Sequence, residues 1–230
     1  AMADRWWDAE GSAKALHDIN PVRLAWIEAR AGGLAGRRAL DVGCGGGLLT
    51  EALAGAGAEA TGIDAGEGPL TVARLHAMES GAPVRYELAT AETWAARPGE
   101  AGRWDLVACM EMLEHVPEPA SVVEACARLL APGGTLVLAT INRSPLAYAT
   151  AVLGAEYVLG LLPRGTHDYR RFLRPAELAA LVRRAGLAVT AIEGLAYDPF
   201  RRRARVVPVP RVNYMLAARR PAGAGAEAIR

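Results

Sequence analysis

Cysteine is scarce in this 230-residue chain: Cys44, Cys109 and Cys126 are scattered and form no CxxC pair. A disulfide framework and a thiolate zinc site are thereby excluded, and a reducing compartment such as the cytoplasm is expected. Excess charge of one sign is absent too. Lys and Arg number 26 against 25 Asp and Glu, a formal net charge of +1. No nucleic-acid partner is expected from so balanced a surface. The opening "AMADRWWDAEG" has no charged stretch followed by an apolar core, so no secretory signal is read there. Nor is there a long uncharged apolar run. Residues 145–163, "PLAYATAVLGAEYVLGLLP", come nearest but contain Glu156 and two glycines between bounding prolines. A spanning helix needs about 20 apolar residues, so a transmembrane segment is rejected. What remains is a globular composition, 52% hydrophobic and 22% charged, enough for one domain over 1–220. The tail "PAGAGAEAIR" (221–230) reads as low-complexity and disordered.

Apolar strand-like runs alternate with helical patterns. "RALDVG" (38–43), "AEATGID" (58–64), "PVRYELA", "WDLVACM" (104–110), "TLVLATI" (135–141), "LAVTAIEGL" and "RVNYMLAARR" read as seven strands. Between them lie "LLTEALAGAG", "PLTVARLHAMESG", "PASVVEACARLLAPGG" and "PAELAALVRRAG", each a helical length ending in or near glycine. Such alternation predicts βαβ units: an α/β, Rossmann-like, doubly wound and mostly parallel seven-stranded sheet with helices on both faces. Asn20-Pro21 reads as the N-cap and first residue of an earlier helix, "PVRLAWIEARAG". An apolar insertion at about 144–168 interrupts the alternation. It reads either as a helix packed on the core or as a lid or membrane-surface element serving an apolar substrate.

"DVGCGGG" (41–47) follows the first strand and opens a helix. Gly43, Gly45 and Gly47 permit a tight turn and close backbone approach to a ligand. The dinucleotide fingerprint GxGxxG would need glycine at 48, where Leu48 stands. The pattern is instead Asp41-x-Gly43-x-Gly45-x-Gly47. Asp64 ends the second strand, where a carboxylate can accept ribose hydroxyls.

"CMEMLEHV" (109–116) places Glu111, Glu114 and His115 just after the fourth strand. On a helix they would stand at i, i+3 and i+4 and share one face. Two carboxylates and an imidazole suit a divalent cation such as Mg, Mn or Zn. His115 alone suits a general base, since its unperturbed pKa of ~6.5 lies near neutrality. Glutamates at a helix start can equally be ordinary partners of its dipole. Pro117 disfavours helix at Val116 and shortens the turn.

Together with the glycine loop and Asp64, the segments "RWWDAEG", "LHDINPVRL", "VARLHAMESG", "CMEMLEHVPEP", "LGAEYVLGLLPRGTHDYRRFLRPAEL" and "VNYML" resemble the ubiquinone-biosynthetic O-methyltransferase family of class I S-adenosylmethionine-dependent methyltransferases. The likeness runs from Arg5 to Leu216. It implies S-adenosylmethionine as cofactor, with Gly43 and Gly45 in the cofactor loop, Asp64 on the ribose and Met110 lying against the cofactor. It also implies that Arg23 reaches the methionine carboxylate. Catalysis falls to His115 with Glu111 and Glu114, the same three being the ligands if a cation such as Mg is used. The implied substrate is a polyprenylated phenol. An anionic membrane surface and a complex of ubiquinone-biosynthesis enzymes are the implied partners, and the implied location is cytoplasmic, at the membrane periphery. His167 and Asp168 in "GTHDYRRFLRP" read as lining the substrate mouth or as a second base with its orienter, and Asp168 reads equally as the N-cap of the following helix. Arg170, Arg171, Arg174, Arg201, Arg202, Arg203 and Arg205 read as a solvated basic face or as contacts to anionic lipid heads.

Overall fold

The structure, a computed structural model, describes residues 6–11, 13–148 and 169–222. The elements in chain order are α1 (Lys14–Ala31), β1 (Arg38–Val42), α2 (Leu48–Gly55), β2 (Glu59–Asp64), α3 (Glu67–Ser80), β3 (Arg85–Leu88), α4 (Ala91–Ala95) and β4 (Trp104–Met110). A 3₁₀ turn (Leu113–His115) follows, then α5 (Pro119–Leu129), β5 (Leu130–Ile141), the single turn α6 (Pro145–Ala147), α7 (Pro175–Arg184), β6 (Ala188–Asp198), β7 (Arg203–Val207) and β8 (Asn213–Arg219).

The strands form one sheet in the order β3-β2-β1-β4-β5-β8-β6-β7. The first five are mutually parallel, and β8 runs antiparallel between β5 and β6. The doubly wound, mostly parallel sheet expected from the alternation is therefore present. The count of seven is corrected to eight. β7 was hidden inside an arginine run, but its alternation is that of a strand: Arg203 and Arg205 are exposed while Ala204 and Val206 pack on the core. The Asp198 carboxylate closes the β6–β7 hairpin by accepting from the backbone N–H groups of Phe200 (3.0 Å) and Arg201 (3.1 Å).

Period-two alternation sorts the side chains between two cores. On β4, Leu106, Ala108 and Met110 join Ile19, Trp26 and Ile27 of α1 and Leu49 and Leu53 of α2. Val107 and Cys109 point the other way, to Val122 and Cys126 of α5 and Leu178 and Val182 of α7. The helices thus cover both faces.

The first helix departs from expectation. It begins at Lys14 and carries Pro21 inside it. Asn20 does not cap it, because its side-chain amide donates to Leu48 O (3.1 Å) at the start of α2. A tertiary contact has taken the group that local reasoning assigned to a cap.

Strand order reverses between β1 and β4, so the carboxyl ends of these two strands flank the crevice where open α/β sheets place their ligands. Gly43 leaves β1 there and Glu111 leaves β4 there.

Candidate active site

Asp41 is buried on β1 and anchors the glycine loop. Thr50 Oγ1 of α2 donates to its Oδ2 at 2.7 Å. Desolvation pushes the Asp41 pKa up to about 6, opposed by that hydrogen bond. Gly43, Gly45 and Gly47 have φ of 73°, 55° and 90°, a region open to glycine at little cost. Their missing side chains are also filled space. A Cβ on Gly43 would lie 2.7 Å from Met112 Cγ, and one on Gly47 2.8 Å from Tyr86 Cζ. On Gly45 it would lie 3.0 Å from Trp6 Cζ2, and on Gly46 2.6 Å from Trp6 Nε1.

Asp64 closes the loop from the neighbouring strand. Its Oδ2 accepts from Gly45 N (2.9 Å) and its Oδ1 from Gly66 N (2.8 Å). Each carboxylate oxygen has a further lone pair, so the group can shape the loop and still accept from a ligand hydroxyl. A glycine cradle with an acid at its rim fits a nucleoside cofactor.

Across the crevice, Met110 ends β4 and is buried in the core beneath α1 and α2. Val42 pairs with Cys109, which sets Met110 level with Gly43. Glu111 follows with φ 52°, a conformation that a residue with a Cβ adopts only when its surroundings enforce it. Its N–H donates to Ala139 O (2.9 Å), and its carboxylate pairs with the Arg23 guanidinium of α1.

Glu114 is 4% exposed and accepts from Thr140 Oγ1 at 2.7 Å. Burial, followed by the negative charge of Glu111, pushes its pKa up to about 8. With its pKa so raised, Glu114 holds its proton at neutral pH. His115 is exposed. The reason is geometric: three residues complete a 3₁₀ turn, so His115 points about 120° away from Glu114. Val116 is extended (φ −94°, ψ 150°), as Pro117 requires.

The structure therefore brings Arg23, Glu111, Glu114 and Thr140 together and leaves His115 outside that cluster. Among the described residues, no group of three or more His, Cys, Asp or Glu side chains is placed to hold a metal ion. Two carboxylates crowded enough to raise one pKa do offer a cation half of a donor set. Arg23, expected to reach the methionine carboxylate of the cofactor, pairs with Glu111 in this structure.

Sequence reasoning did not single out Thr140, Met112, Tyr86 or Trp6. A hydroxyl ending the apolar run "TLVLATI" and a tryptophan pair in "RWWDAEG" were the available signals. His167, Asp168 and the insertion from 149 onward lie outside the described residues. In the arginine group, Arg202 bonds Asp18 and pairs with Glu10, and Arg201 pairs with Asp198 at 3.3 Å. Among the described residues, no helix is long and apolar enough to cross a membrane.

The family profile described as "Methyltransferase domain" matches residues 17–192. Among curated proteins, a ubiquinone biosynthesis O-methyltransferase of Pseudomonas aeruginosa is 57% identical over 222 residues, covering 96% of this chain and 94% of its own. The protein of that name from Thiobacillus denitrificans is 55% identical over the same shares. Among solved structures, the magnesium protoporphyrin IX methyltransferase of Synechocystis with bound SAM has a TM-score of 0.64 at 21% identity, covering 94% of this chain and 90% of its own. The [4+2]-cyclase SpnF has a TM-score of 0.65 at 19% identity, covering 87% and 81%. These two likenesses establish the fold, and the cyclase illustrates that the fold alone does not set the reaction. The fold is that of the class I methyltransferases. Within that class, the chain belongs to the ubiquinone biosynthesis O-methyltransferase family.

Proposed function

We propose that this chain is an S-adenosylmethionine-dependent O-methyltransferase that methylates a hydroxyl of a polyprenylated catechol or hydroxyphenol in ubiquinone biosynthesis. The carrying observation is 57% identity across 96% of the chain to a relative so named. The glycine cradle and Asp64 described above support it.

When bound, the cofactor supplies an electrophilic methyl group on a sulfonium sulfur. This chain's own residues position and manage charge. Gly43 and Gly45 let the backbone approach the cofactor, Asp64 accepts from its ribose, and Met110 lies beside the loop at the end of β4. A phenol titrates near pH ~10, so its proton must be removed or its charge screened before attack. His115, exposed beside the crevice, is the proposed proton acceptor. Glu111 and Glu114, held by Arg23 and Thr140, brace the turn that carries it.

A divalent cation at Glu111 and Glu114, completed by His115, is the second reading. The crowding of the two carboxylates favours it. In this reading the cation would lower the pKa of the bound hydroxyl, and His115 would have to turn inward.

Peripheral membrane attachment, cytoplasmic location and docking with other enzymes of the pathway belong to the same proposal. Phe200, 87% exposed, sits at the β6–β7 tip. Leu195 of β6 and Ile141 of β5 both pair with Asn213, so that tip and the exit into the insertion lie at one end of the sheet. An apolar, basic edge there suits a substrate whose tail lies in lipid.

The deciding experiment is methyl transfer to a prenylated catechol, with and without chelator, against unrelated phenols. Equal turnover of unrelated phenols would point to a methyltransferase for another small substrate. S-Adenosylhomocysteine binding without turnover on any phenol would point to a binding scaffold. Co-sedimentation with anionic liposomes, before and after deletion of 146–162, tests the membrane element.

A further inference from the structure

The segment preceding α1 lies on the glycine loop. Trp7 Nε1 donates to Gly46 O at 2.9 Å. The Trp7 ring stacks on His76 of α3, with centroids 3.4 Å apart and planes 2° off parallel, and meets the His17 ring edge-on at 5.9 Å. His17 Nε2 donates to Trp6 O at 2.9 Å. These contacts press Trp6 against the bare backbone of Gly45 and Gly46. Gly46 explains its own presence in this way: its φ is not positive, so the absent side chain is needed for Trp6 and not for the turn.

Trp6 also has unused hydrogen-bonding capacity. Among the described residues, three buried side-chain nitrogen or oxygen atoms lack a partner: Trp6 Nε1, Arg23 Nε and Arg30 Nε. A buried donor without an acceptor is costly, and an indole N–H normally finds one. Trp6 Nε1 sits over the loop that would hold the cofactor.

We propose that Trp6 is a cofactor-binding residue: its ring walls the cleft over Gly45–Gly46, and its indole N–H donates to an oxygen of the bound nucleoside–amino acid cofactor. Trp7, His17 and His76 act as positioning residues that hold Trp6 in place. This rests on the S-adenosylmethionine reading above.

The test is calorimetric titration of the full chain with S-adenosylhomocysteine, followed in parallel by intrinsic tryptophan emission. Trp6→Phe keeps an aromatic ring but removes the N–H and the pyrrole half of the indole, and is expected to weaken binding about 5- to 10-fold. Gly46→Ala keeps an allowed backbone and displaces Trp6, so it is expected to weaken binding at least as much. The emission change on binding should shrink in Trp6→Phe. Wild-type affinity in both variants would overturn the role of Trp6. A wild-type chain that binds no S-adenosylhomocysteine would overturn the cofactor reading itself, so the two failures are distinguishable.

Discussion

Arg23 and Glu111, 88 residues apart in the chain, form an ion pair in which the side chains are only 7% and 21% exposed. The pair ties the middle of α1 to the residue that leaves β4, and so spans the crevice between the glycine loop and the turn bearing Glu114 and His115. A buried pair of this kind is strongly felt when one member is lost, because the other is left charged and unpaired.

Arg23→Leu is therefore expected to destabilise the fold by about 3 kcal/mol. Arg23→Leu combined with Glu111→Leu should recover much of that loss. Urea unfolding of the single and double variants measures both. Equal stability of the single variant and wild type would show that the pair contributes nothing.

The Glu114 pKa is raised to about 8 in the folded chain, against 4.5 for the ordinary group. The folded state then holds a proton that the unfolded state has released, and stability falls as pH rises through that window. The slope from this group is at most about 1.4 kcal/mol per pH unit. Asp41 adds to the fall between 3.8 and about 6. Glu114→Gln keeps an acceptor for Thr140 and removes the titration. Its unfolding free energy should decline less than that of wild type between pH 6 and 8.

Asp64→Asn replaces one acceptor oxygen with a donor, and either Gly45 N or Gly66 N loses its partner. Loss of a hydrogen bond to a charged group corresponds to about tenfold or more in affinity. S-Adenosylhomocysteine affinity by calorimetry should fall by that factor, and the thermal midpoint should drop as the loop loosens.

His115 is exposed, so His115→Ala should fold as wild type does and bind S-adenosylhomocysteine with unchanged affinity. Turnover of a prenylated catechol should fall about 100-fold or more if it is the base. Activity that survives in this variant but vanishes on exhaustive chelation, and returns with magnesium, would favour the cation at Glu111 and Glu114.

Much of this protein was legible in its residues alone. Alternating apolar runs and glycine stops place the strands and helices, because side-chain periodicity is a local property. "DVGCGGG" and Asp64 mark the glycine loop and the acid that closes it, because a tight left-handed turn admits few residues other than glycine. The extra strand and the true start of α1 escaped for the opposite reason. The arginine run concealed a period-two pattern, and Asn20 serves Leu48 instead of its own helix.

The tertiary structure alone decided what the ionisable groups do. Glu111, Glu114 and His115 are neighbours in the chain, and helical spacing would put them on one face. The backbone instead takes a positive φ at Glu111 and a single 3₁₀ turn over Leu113–His115: Glu111 pairs with Arg23, Glu114 goes inward to Thr140, and His115 stands on an exposed side. Burial and partners set a carboxylate's charge, and both come from segments far away in sequence. The same holds for Trp6, whose seat on Gly46 depends on α1 and α3 closing around it.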